Sequence, residues 1–142
     1  MGRYLFIPDV AIADLAFEVE AESLEELFSL SAQALFDAMV ELEDVRPEEE
    51  VRISLSSEKL DNLLFDWLAE LVYHKDVEAQ LFSHFEVAIT ENGSAKLEGR
   101  AKGEPIDPSR HRLKTDVKAI TYHMFKLEKR DKGYYARVVL DT

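Results

Sequence analysis

Within the first forty residues the spacing of apolar positions shifts from every second residue to every third or fourth. In "DLAFEVEA", Leu15, Phe17, Val19 and Ala21 alternate with Ala16, Glu18 and Glu20, the pattern of a strand with one buried face. The preceding "YLFIPDVAIA" also reads as extended chain, interrupted by Pro8. In "SLEELFSLSAQALFDAM", Leu24, Leu27, Phe28, Ser31, Ala34, Leu35 and Ala38 fall on one stripe of a helix. Ser23 and Glu26 stand at capping-box spacing and mark its start.

The alternation returns in "VRISLS", after the polar loop "EDVRPEEE". A second helix follows in "SEKLDNLLFDWLAELVYHKD", beginning near Ser57 or Glu58, with Leu60, Leu63, Leu64, Trp67, Leu68, Leu71 and Val72 on one side. "SHFEVAIT" and "AKLEGRAKG" flank Asn92-Gly93, the pair that a tight hairpin turn prefers. "EPIDPSRHRLK" is a connecting loop, and "DVKAITYHMFKLEK" and "YYARVVLDT" form a last hairpin across "RDKG". Strand, helix, strand, helix and four strands predict an α+β layered fold, two helices packed on a mainly antiparallel sheet. A length of 142 residues suits a single domain, 1–142, on the usual scale of roughly 100–200 residues per domain.

Charge changes this picture more than composition does. The chain carries a net −12, unevenly: residues 1–99 hold 23 acids against 6 Lys and Arg, residues 100–142 hold 6 acids against 11. So acidic a chain repels a nucleic-acid backbone at long range, which disfavours RNA binding by the chain alone. The basic last third can still meet a phosphate or an acidic partner. With no cysteine, thiolate metal sites and cysteine nucleophiles are excluded. The start, "MGRYLFIPDVAIADLAF", has carboxylates within its apolar stretch and does not read as a secretory leader. No run approaches the ~20 apolar residues of a membrane span, so a cytoplasmic location is expected.

Nucleotide cradles of the G-x-G-x-x-G and G-x-x-x-x-G-K-[ST] types are missing, as is the G-x-S-x-G elbow. Candidate chemistry lies with carboxylates instead. Asp14 stands between Ala13 and Leu15, and Asp141 ends the apolar run "ARVVL" just before Thr142. A charge among apolar neighbours must be hydrogen-bonded, paired or bound to a metal. If the first and last strands are neighbours, Asp14, Asp141 and the Thr142 carboxylate or carbonyl converge, and a hard divalent cation such as calcium or magnesium suits oxygen ligands. The alternative is two strand-end aspartates bonding to backbone amides. In "RHRLKTDVKAITYH", Arg110, Arg112, Lys114 and Lys118 crowd into nine residues, either a solvated face or a contact for phosphate or an acidic partner. Lys118, Ile120 and Tyr122 are expected on one strand face. His123 reads as a core or sheet-face histidine, with acid–base chemistry as the alternative.

Taken in order, "ADLAFEVEAESLEELFSLSAQALFDAM", "LDNLLFDWLAELVYHKDVEAQLFSHFEV", "RHRLKTDVKAITYH" and the ending "VVLDT" resemble the archease family from about Asp14 to Thr142. The resemblance implies an accessory protein, not an enzyme. It would promote guanylylation and multiple turnover of the RtcB-type tRNA-splicing RNA ligase, and touch tRNA only indirectly. It also implies a metal site, with calcium as the expected ion. The family's H-T-A-D motif falls on Ala11-Ile12-Ala13-Asp14, so the Asp is kept while Ala and Ile replace His and Thr. Asp141 and Thr142 match the terminal ligands, and Lys118 matches the lysine implicated in ligase activation. Lys118, Arg112 and His123 are the expected partner or phosphate contacts. The competing readings are a chaperone for tRNA modification that binds RNA or a methyltransferase, and a small metal-dependent hydrolase.

Overall fold

The computed structural model describes residues 2–7 and 14–142. Its elements run β1 (Arg3–Ile7), β2 (Asp14–Ala21), α1 (Leu24–Asp37), a 3-10 turn (Leu42–Asp44), β3 (Glu49–Ser57), α2 (Leu60–Glu78), β4 (Gln80–Asn92), β5 (Ser94–Pro105), β6 (Ala119–Arg130) and β7 (Gly133–Asp141). The fold is α+β, with both helices on antiparallel strands as the patterning predicts. The strands divide into two sheets, ordered β1-β2-β7-β6 and β3-β5-β4. Alternation reveals a buried face but not which strands share a sheet, so a single sheet was the simpler expectation. Chain entry also differs: the first extended segment is a separate strand, paired antiparallel with β2 from Arg3↔Glu20 to Ile7↔Ala16.

Each helix touches both sheets. α1 lies against β2 and β4, and α2 against β3 and β6. The stripe on α1 buries Leu24, Leu27, Phe28, Ser31, Ala34 and Leu35, together with Ala32 and Phe36. Its cap forms as the sequence predicts, with the Ser23 Oγ accepting from the Glu26 N–H at 3.2 Å. Trp67 of α2 is fully buried, and its indole N–H donates to the Phe28 carbonyl at 3.1 Å. One bond thus ties the two helices through the core. Truncating Trp67 to Ala would cost roughly 3–5 kcal/mol. α2 starts at Leu60, after Lys59, with no side-chain cap, slightly later than the expected Ser57 or Glu58.

Two glycines have specific duties. Gly93 closes the β4–β5 turn at φ 82°, in the left-handed region that glycine enters freely. At Gly103 an added Cβ would sit 1.7 Å from the Leu81 carbonyl oxygen, beside the slip in register between Phe82 and His84. No helix among the described residues is long and apolar enough to cross a membrane.

Candidate functional site

Packing of the core fixes which strand ends meet. Phe17 opposes Val138 and Val19 opposes Ala136, all buried at or near 0 % exposure. Slipping the register by one residue would turn that apolar row to solvent, so the alignment is strongly specified. The same alignment places Asp14 directly opposite Asp141. Opposed residues of an antiparallel pair have Cα atoms roughly 4.5–5.5 Å apart. β6 joins the same end: Ala119 opposes Asp141 on its other side, and the Lys118 N–H donates to the Asp141 carbonyl at 2.8 Å. The strand carrying Asp14, the strand ending in Asp141 and the segment carrying Lys118 therefore terminate together.

The basic stretch that looked uniform in sequence divides sharply. Arg112 donates to Asp44 from Nε and from its terminal nitrogen, both at 3.0 Å, and to Glu43 at 2.6 Å. The Asp44 carboxyl is held at about 2 by those Arg112 bonds, from side chain and backbone. Lys114 pairs with Asp37 at 3.0 Å and also donates to its carbonyl. These cations fasten the loop after β5 onto the end of α1 and the 3-10 turn that follows it. Arg112, expected as a partner contact, is exposed, yet its guanidinium is already engaged within the chain. Lys118 differs: it is exposed, and its ammonium has no partner among the described residues.

A buried charged cluster anchors the same loop. Glu104 is 5 % exposed and accepts from the Arg46 N–H at 2.7 Å, from His111 Nε2 at 3.0 Å, and from Arg110. Burial alone would raise its carboxyl above the ordinary 4.5, but the Arg46 N–H, His111 and Arg110 together outweigh it and hold the group at about 2. The Asp107 N–H donates to His111 Nδ1 at 2.9 Å, which fixes the Nε2–H tautomer and leaves Nε2 as donor to Glu104. Sequence gave no warning of this cluster, because His111 lies in a polar, proline-containing loop. The one signal was the crowding of Glu104, Asp107, Arg110 and His111 within eight residues.

His123 is the converse case. Its apolar neighbours suggested a core or sheet-face position, but the residue is exposed. The cause is a large bulge: pairing of β6 with β7 jumps from Thr121 to Lys126, leaving four residues without register partners. Within it Met124 adopts φ 56°, a left-handed backbone that costs a non-glycine residue roughly 1–2 kcal/mol. Arg137 stabilises the turn by donating from Nε to the Met124 carbonyl at 2.9 Å. The shared face expected for Ile120 and Tyr122 is broken there: Ile120 is buried and Tyr122 is 70 % exposed.

Ala11, Ile12 and Ala13, and the side chain of Asp14, lie outside what the structure describes. Among those described, no three His, Asp or Glu side chains form a cluster that could hold a metal ion. The candidate is a strand-end juxtaposition, the backbone register setting Asp14 opposite Asp141.

Residues 4–142 match the Archease protein family (MTH1598/TM1083). A "Protein archease" from Methanopyrus kandleri is 44 % identical over 130 residues, covering 91 % of this chain and 93 % of that protein. Another from Pyrococcus furiosus is 39 % identical over 131 residues, covering 91 % and 92 %. The solution structure of protein 1598 from Methanobacterium thermoautotrophicum superposes with a TM-score of 0.86 at 37 % identity, covering 98 % of each chain. A Thermotoga maritima crystal structure, titled an archease and possible chaperone, has the same fold at TM-score 0.64 and 22 % identity, covering 96 % of each chain. Over almost its whole length, the chain belongs to the archease family.

Proposed function

We propose that this chain is a cytoplasmic, non-enzymatic activator of an RtcB-type tRNA-splicing RNA ligase, and that a divalent cation, calcium by preference, organises its working end. The observation that carries the reading is the register pairing of Asp14 with Asp141. Like charges directly opposite each other on a sheet are destabilising. A hard cation with oxygen ligands removes that repulsion, and the donor set of Asp14, Asp141 and Thr142 suits calcium or magnesium. Bound there, the ion would supply fixed positive charge and tie the end of β7 to the start of β2.

Lys118 supports the same reading. Its backbone is fastened to the Asp141 carbonyl, and its ammonium is left for a phosphate or a carboxylate of the ligase. An activator of this kind acts by binding one ligase conformation better than another, because only differential affinity shifts a conformational equilibrium. Guanylylation and multiple turnover are the steps such a shift would favour. RNA joining measured over many turnovers, with the cognate ligase and with or without this protein, tests the proposal. Stimulation that is lost in Lys118→Ala and Asp141→Asn is the expected result. Ligase turnover indifferent to the wild-type protein would reject it.

A further inference from the structure

We propose that the β6 bulge is the apolar anchor by which this chain docks on its protein partner, with Tyr122 as the principal contact. The inference rests on the ligase-activator reading for the identity of the partner. It stands on a different observation from the strand-end carboxylates. Tyr122 lies flat on Phe65 of α2, ring centroids 4.0 Å apart and planes within 2°. The stack holds the Tyr122 side chain in one place while 70 % of the residue stays exposed. Phe125 also meets Phe65, in a T-shaped contact with ring centroids 5.5 Å apart, and its chain neighbour Met124 is 42 % exposed. An aromatic ring that is both exposed and rigid loses little entropy on binding, and tyrosine, methionine and arginine are enriched at interface centres.

The backbone supports the same conclusion. Four residues leave the β6–β7 ladder, a non-glycine residue takes a left-handed conformation, and Arg137 reaches over to hold the Met124 carbonyl. Strain of this kind persists where the surrounding structure imposes it, and it clusters at recognition sites. Here it aims Tyr122 outward instead of continuing the strand.

Charge chooses the occupant. Around the bulge the chain brings Lys118, Lys126 and Arg137, with no acid between residues 117 and 127, in a chain whose net charge is −12. The complementary surface is a protein presenting an apolar slot rimmed by carboxylates. A single-stranded RNA would also stack on tyrosine, but the overall charge opposes it.

The test is binding of ligase to the full-length protein, by interferometry at two salt concentrations. Tyr122→Ala should weaken affinity about 30-fold, as removal of a hot-spot residue does. Tyr122→Phe, which keeps the stack, should stay within about threefold of wild type, and Arg137→Ala should fall between the two. Association should slow as salt rises. Circular dichroism melting of the same variants separates folding from docking, and an unchanged melt for Tyr122→Ala supports the proposal. Wild type that binds ligase no more tightly than Tyr122→Ala does would overturn the anchor and leave the activator reading intact. Wild type that does not bind ligase at all would overturn both. Retention of a fluorescent single-stranded oligonucleotide by wild type but not by Tyr122→Ala would overturn the choice of a protein occupant.

Discussion

Two regions of this molecule use the same kinds of residue to opposite ends. Around Glu104 every charge is answered: Arg110, His111 and the Arg46 amide converge on one buried carboxylate, and Arg112 and Lys114 fasten the rest of the loop. At the tip of β2 and β7 the register sets Asp14 opposite Asp141, and Lys118 has no side-chain partner among the described residues. The first arrangement holds a loop in place. The second is where the proposed cation and partner would bind. An inventory of ionisable residues cannot separate them, whereas their partners can.

The largest effect expected from disturbing this contrast is on the buried side. Glu104→Ala leaves the Arg46 N–H and His111 Nε2–H without an acceptor, each worth roughly 1–3 kcal/mol when buried. Urea unfolding should show a loss of about 2–4 kcal/mol. A loss below about 0.5 kcal/mol would mean that the cluster does not anchor the loop.

Next is acid stability. The folded Glu104 carboxyl is depressed from 4.5 to about 2, so its contribution is present above the unfolded value and disappears as pH falls through the folded one. Melting of wild type between pH 5 and 2 should therefore decline more steeply than melting of Glu104→Gln, with the difference confined to roughly the window between those two values. Parallel curves would contradict the assignment.

The strand end should respond to a different variable. Calcium at a hundredfold excess over its dissociation constant should stabilise wild type by about 2.7 kcal/mol, seen as a rise in melting temperature that EDTA reverses. Asp141→Asn should show no such rise. Without calcium, that substitution should leave the melting temperature unchanged or slightly higher, since like charges at opposed sheet positions are destabilising.

Smallest in stability, and sharpest as a discriminator, is the exchange between Arg112 and Lys118. Arg112→Ala should lower the melting temperature modestly while ligase stimulation is kept, and Lys118→Ala should do the reverse. Matching behaviour of the two in both assays would remove the distinction.

These contrasts also explain how far the sequence could be read. Both helices were legible, because Ser23 with Glu26 and the Leu/Phe stripes leave little choice of face. So was the place of the β4–β5 hairpin, although its register centres on Gly93 alone and Asn92 lacks the positive φ of a two-residue primed turn. The meeting of Asp14 and Asp141 could be anticipated only as a conditional, since alternation says which face is buried but not which strands pair. Division into two sheets was hidden for the same reason. His123 departed from expectation, and His111 had not been singled out. Burial of His111 depends on Glu104 and the Asp107 amide folding back on it, and exposure of His123 depends on a bulge with no glycine or proline to announce it. Arg112 and Lys118, six residues apart, cannot be told apart without knowing that Glu43 and Asp44 lie beside one of them.

Whether the two ends of the chain form a cation site can be asked directly by calorimetric titration of calcium. Three proteins suffice: wild type, Asp14→Ala, and a form extended by several residues beyond Thr142. The account predicts one ion per chain for wild type, and affinity lower by tenfold or more in both altered forms. Equal affinity in all three would contradict it, and would reduce the pairing of Asp14 with Asp141 to a consequence of core packing alone.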